Sequence, residues 1–267
     1  MTHSASKPAL APAGQAPTAT NTVAFGLLLA ALGAIGFSGK AIIVKLAYRW
    51  GVDAITLLMY RMLMALPFFV LMAWWGGRGR PALSRTETRA VLGLGFCGYY
   101  LASMLDFIGL QYITASLERL ILYLTPTLVL LCGWALRARP LGAGHLLATA
   151  VSYGGALLVF GMEVRDTPGA ATAWGAFWVF LSAVSYALYL FFSGEFVARI
   201  GSLRLVGLAS VVASLCCIAH FLLVNPWQAA RVAEPVLWLS LLNSTLCTAL
   251  PVLLVMMGVE RIGASLA

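Results

Sequence analysis

Apolar runs about 20 residues long recur from Val23 to the end of this 267-residue chain, with short polar connections between them. A run of that length is what a helix needs to cross a hydrocarbon core about 30 Å thick. In lipid every backbone N–H and C=O must be bonded within the protein, which leaves only helices or closed barrels. These runs are too long and too uniformly apolar for barrel strands, which alternate and cross in about 10 residues. Composition agrees, with 61% of residues hydrophobic and 10% charged, against about 25% charged in a soluble domain. The chain reads as an all-α polytopic membrane protein.

Spans are expected at residues 23–47, 54–75, 90–110, 114–136, 141–162, 173–197, 202–224 and 235–259, about eight in all. Residues 1–22 are rich in Ala, Pro and Thr, with Lys7 the lone charge, and form a disordered tail. About twenty neutral residues separate the start of the chain from the first apolar run, so that run is not a signal peptide but a retained span. With the N-terminus inside, the inner segments hold ten Lys and Arg, among them Arg78, Arg80, Arg85 and Arg89. The outer connections hold three, Arg49, Arg165 and Arg231. That bias sets the N-terminus and the 78–89 loop in the cytoplasm and Arg165 outside.

A charge at the centre of a spanning helix costs about 3 kcal/mol on insertion scales. Lys40, Lys45, Arg61, Asp106, Glu118 and Arg119 all lie within the spans, and all in the outer half of the membrane. Charges so placed pair, snorkel, or line an aqueous cavity. Lys45, within a turn of a helix end, suits snorkelling. Arg61 is expected to pair with Asp106 or Glu118, which lie either side of the turn at residues 111–114. Tyrosines extend the pattern at helical spacing. Arg119, Tyr123 and Thr127 share a face of the fourth span; Tyr99, Ser103 and Asp106 one of the third; Ser182, Tyr186, Tyr189 and Ser193 one of the sixth. Interhelical hydrogen bonding is one account of such stripes, and a hydrated pathway between helices is favoured over it because three stripes coincide with the charges. The substrate-binding candidates are Arg61, Asp106, Glu118, Arg119, Tyr123, Tyr186 and Tyr189.

Other chemistries find little support. Gly93–Gly98 matches GxGxxG but sits inside a span, where small residues serve helix packing. His3, His145 and His220 are scattered, the five cysteines include no CxxC, and no metal, cofactor or nucleophile constellation emerges. A membrane enzyme is therefore the weaker alternative. The net charge of +8 is spread between the apolar runs rather than gathered on a face for nucleic acid.

Gly109-Leu-Gln-Tyr-Ile-Thr-Ala-Ser-Leu117 recurs 149 residues later as Gly258-Val-Glu-Arg-Ile-Gly-Ala-Ser-Leu266, identical at five of nine positions. A repeat unit of five spans enters the membrane upside down relative to its copy, which is a transporter architecture. Four stretches resemble the EamA branch of the drug/metabolite transporter superfamily: Gly36 to Lys45 with Arg61, Gly109 to Trp134 with its mid-helix Pro126, Pro140 to Phe160 with Gly154-Gly155, and Trp174 to Ala267. The resemblance implies two inverted five-helix repeats, 23–162 and 173–267. The second is incomplete, since helices nine and ten of such a carrier are absent. It also implies alternating-access efflux of a small metabolite or drug across a bacterial inner membrane, without a cofactor. A truncated, non-transporting product of a carrier gene is the other alternative. The expected partners are the lipid bilayer and an anionic or amphipathic small molecule, and a homodimer is open. Pro126 and Pro251 are expected to permit bending of their spans.

Overall fold

The computed structural model describes residues 19–137, 150, 151, 153, 154 and 169–262. Among these, seven helices are long and apolar enough to cross a membrane: Val23–Tyr48, Ala54–Gly77, Arg85–Leu110, Ala115–Leu136, Ala170–Ile200, Ser202–Val224 and Glu234–Gly258. They are the expected first to fourth and sixth to eighth spans. The fifth, 141–162, lies outside the described residues apart from Ala150, Val151, Tyr153 and Gly154.

Local chemistry sets the helix ends. Asp53 caps the second span, accepting from the amides of Ile55 and Thr56, each at 3.0 Å. Ser84 and Glu87 form a capping box that begins the third span at Arg85, five residues before the hydropathy rise. Thr114 caps the fourth through the Leu117 amide at 3.1 Å. Gly201, at φ +87°, turns the chain from the sixth span to the seventh, a conformation glycine adopts without steric cost. Trp50, Trp75, Trp174, Trp227 and Trp238 stand exposed near span ends, as interfacial tryptophans do.

Four spans are not continuous α-helices. The first breaks at Gly39, between Ala19–Ser38 and Lys40–Tyr48. The fourth breaks after Leu122 and restarts at Thr125, so Pro126 falls in a first helical turn, where its missing N–H costs nothing. The third and eighth carry π-helical stretches, Gly95–Leu101 and Thr245–Ala249. Pro251 follows the second of these, so both prolines do sit at interruptions.

The second span packs along the seventh, the first along the eighth, and the third along the sixth. The last two contacts share one pattern. A Cβ on Gly109 would lie 2.7 Å from the Gly175 carbonyl oxygen, and one on Gly258 2.9 Å from that of Gly26. A Cβ on Gly33 or Gly36 would lie 3.0 Å from the carbonyl oxygen of Pro251 or Leu246. In the other pair Ser182 and Ser185 donate to the carbonyls of Ala102 and Cys97, at 2.7 and 2.8 Å. Gly26 and Gly175, Gly33 and Ser182, Gly36 and Ser185, Cys97 and Leu246, Ala102 and Pro251, and Gly109 and Gly258 are each 149 positions apart. The offset is that of the sequence repeat.

Candidate functional site

The break at Gly39 organises the site. Where a helix is interrupted, carbonyls lose their i+4 amide partners and need other donors. Here Arg119, from the fourth span, supplies them: its Nη2 donates to the Phe37 carbonyl at 2.6 Å and to that of Ser38 at 3.3 Å. The next residue after the break, Lys40, reaches two carboxylates at once. Its Nζ lies 2.5 Å from Asp106 Oδ2 on the third span and 3.1 Å from Glu118 Oε1 on the fourth. Arg119 Nε stands 3.3 Å from the other oxygen of Glu118. The side chains of Glu118 and Asp106 are 0% and 3% exposed. Two cations and two anions thus form a chain, Asp106–Lys40–Glu118–Arg119, where three spans meet, its carboxylates buried and its cations partly exposed.

This corrects the expected partner of Arg61. Lys40 takes both carboxylates, and Arg61 instead donates from Nε to Thr248 Oγ1 on the eighth span at 2.9 Å. Its guanidinium lies 5.3 Å from the Phe107 ring centroid. Lys45 sits nearer the end of its span, where its Nζ donates to the Leu110 carbonyl at the end of the third span, 3.0 Å away. Tyr48 donates to the Phe107 carbonyl at 2.6 Å, tying the same two helices.

The tyrosines divide. Tyr99 and Tyr189 share a hydroxyl contact of 3.2 Å and meet edge to face, and Tyr186 stacks on Tyr189 with centroids 5.6 Å apart. The group lies between the third and sixth spans. Tyr99 is two turns along its helix from Asp106, roughly 10 Å. Tyr123, by contrast, is 65% exposed, and among the described residues no hydrogen bond ties its side chain to the charged chain. The face expected for Arg119, Tyr123 and Thr127 is interrupted, since the α-helix ends at Leu122 and resumes at Thr125, although the Tyr123 amide still bonds the Arg119 carbonyl at 3.0 Å. Ser182 is spent on an interhelical hydrogen bond and Ser193 on its own helix, donating to Leu190 O at 3.1 Å. Sequence reasoning left Lys40, Asn243 and Thr248 out of the site. The signals were there: a lysine directly after Gly36-Phe-Ser-Gly39, and a polar patch, Asn243-Ser-Thr245, in an apolar run.

A cavity of about 780 Å³ opens elsewhere, between Phe68, Leu71 and Trp75 of the second span and Leu246, Leu250 and Leu253 of the eighth. Its walls are apolar and hold none of the charged residues. It is a groove on the bundle's flank, apart from the buried ion pairs.

Spanning helices, helix interruptions and charges buried around one of them define a polytopic membrane transporter. The sequence profile of the EamA-like transporter family matches residues 24–161 and 173–267. The chain belongs to that family. It is 30% identical over 255 residues to the Bacillus subtilis (strain 168) protein named Uncharacterized transporter YcbK, covering 91% of this chain and 80% of that one. A solved crystal structure is similar with a TM-score of 0.63 and 17% identity, over 89% of this chain and 80% of its own. At that identity the likeness speaks for the fold alone.

Proposed function

We propose that this protein exports a small organic solute across a bacterial inner membrane by alternating access between two inverted halves, 23–162 and 173–267, with its N-terminus in the cytoplasm. The observation that carries the reading is the Asp106–Lys40–Glu118–Arg119 chain around an interrupted span. Carboxylates buried beside Lys40 and Arg119 in a spanning bundle are costly, and on this reading the arrangement serves a function that needs them there. The paired contacts at a common offset of 149 support the halves: each close approach of the first and eighth spans has a counterpart between the third and sixth. Arg61, Asp106, Glu118 and Arg119 supply the polar wall of the solute path, with Lys40 added. Tyr186 and Tyr189, joined by Tyr99, supply a wall that is apolar with hydroxyl tips. The Lys and Arg bias supports the orientation, and the family supports export.

The test is transport by the purified full chain in sealed vesicles, against a panel of labelled metabolites and drugs. At least one compound should move faster than in protein-free vesicles, and faster from the cytoplasmic face than into it. Lys40→Met should abolish that flux while leaving the protein in the membrane. Flux that survives Lys40→Met, Asp106→Asn and Glu118→Gln alike sinks the assignment of the path to this cluster.

A further inference from the structure

Among the described residues Arg61 forms no ion pair, unlike Lys40 and Arg119. It is 7% exposed, its Nη1 is buried without any hydrogen-bond acceptor, and the ion pairs among the described residues belong to Lys40 and Arg119. A buried guanidinium N–H left unmet is among the more expensive defects a core can carry, and in native proteins such a group marks a missing water, ion or ligand. The rest of its surroundings hold the guanidinium in one orientation. Thr248 Oγ1 accepts from Nε and donates onward to the Asn243 carbonyl at 2.8 Å, a five-residue back-bond that the π-helical stretch allows. Phe107 offers its ring to the cation on another side.

The adjoining part of the eighth span, Glu234–Ser244, packs against the second span and carries further unmet groups. Asn243 is 1% exposed, yet among the described residues neither its amide nitrogen nor its amide oxygen has a partner. Ser240, one helical turn earlier, is fully buried with its hydroxyl unpartnered. Charge points the same way. Lys40 and Arg119 pair with Asp106 and Glu118, and among the described residues the buried Arg61 pairs with neither, so one negative charge is wanting beside it. Water would satisfy Nη1 but leave that excess in place. A carboxylate supplies the charge and two acceptor oxygens, one for Arg61 and one for the Asn243 amide. A dianion would reverse the imbalance rather than close it.

We propose that Arg61, oriented by Thr248 and accompanied by Asn243, receives the carboxylate of a monoanionic solute. The assignment rests on the carrier reading above but concerns binding, so the two can fail separately.

The experiment uses the full chain in lipid nanodiscs and three probes of one shape: benzoate, benzamide and benzylamine. Binding is followed by intrinsic tryptophan fluorescence. Benzoate should bind and benzamide and benzylamine should bind at least about tenfold more weakly, a difference of 1.4 kcal/mol. Arg61→Gln should remove the preference for benzoate, Arg61→Lys should keep part of it, and Asn243→Ala should weaken benzoate severalfold without affecting benzamide. Where Arg61→Gln fails to fold, Asn243→Ala and Thr248→Val carry the same comparison. Benzylamine binding best, or an unchanged benzoate preference in all variants, overturns the proposal. So does displacement of benzoate by an equal concentration of chloride, which would mark a small-ion site. Arg61-dependent benzoate binding without any transport would instead count against the carrier reading alone.

Discussion

Replacing Lys40 by Met keeps the length of the side chain and removes the charge that two buried carboxylates share. At an effective dielectric of about 20, an ammonium and a carboxylate roughly 3 Å apart attract by about 5 kcal/mol before desolvation is counted. Lys40 makes two such contacts, at 2.5 and 3.1 Å. Breaking a buried pair by deleting one partner costs about 3–5 kcal/mol net, because the survivor stays behind uncompensated. The Lys40 side chain keeps 15% of its surface exposed, so the lower end applies, about 3 kcal/mol. Glu118 retains Arg119 at 3.3 Å, whereas Asp106 retains no ion-pair partner. Neutralising Asp106 should therefore recover more than neutralising Glu118. The assay is reversible unfolding in mixed micelles, followed by circular dichroism, for Lys40→Met, Asp106→Asn, Glu118→Gln and both doubles. Lys40→Met within about 1 kcal/mol of the parent, or a Lys40→Met/Asp106→Asn double no better than the single, would refute the shared-lysine reasoning.

Other expectations follow from single contacts. Gly109→Ala should destabilise by about 1–3 kcal/mol, since its Cβ meets the Gly175 backbone at 2.7 Å, which cannot yield as a flexible side chain would. Gly93→Ala, with nothing within 4 Å, should be neutral or stabilising by up to about 1 kcal/mol in the same unfolding assay. Tyr189→Ala should lower solute binding and stability together, whereas the exposed Tyr123→Ala should leave solute affinity within about twofold, the scale of a surface change of roughly 0.5 kcal/mol. In a background lacking the five native cysteines, Gln228→Cys should react with an impermeant maleimide in intact cells and Ser84→Cys only after permeabilisation. The reverse pattern would invert the topology.

The spans were legible because the bilayer imposes one length and one polarity on every crossing. Where the boundaries moved, a side chain moved them: Ser84 and Glu87 start the third span in a polar first turn that hydropathy reads as loop. The charged site was half legible. That Asp106 and Glu118 needed partners followed from their depth, but Lys40 lies 66 positions from Asp106, and nothing local separates it from Arg61 as the candidate. What decides is the break at Gly39, which turns Lys40 toward the third and fourth spans and is itself held by Arg119 from elsewhere in the chain. The face drawn through Tyr123 is interrupted for a related reason. Helical spacing predicts neighbours only while the helix continues, and this one stops at Leu122.

The two glycine contacts, Gly26 with Gly258 and Gly109 with Gly175, lie at opposite ends of the bundle. Most helix pairs mesh through ridges of side chains, so a large slide of one past the other means jumping a whole turn, about 5.4 Å. Backbone resting on backbone offers fewer teeth to disengage, with Val179, Ile113 and Tyr112 flanking the Gly109–Gly175 contact. At these two places the helices can roll through small angles while staying in touch, as in a plain bearing rather than a gear. In the proposed carrier, two such contacts, one near each surface, would let the bundle widen at one side while narrowing at the other.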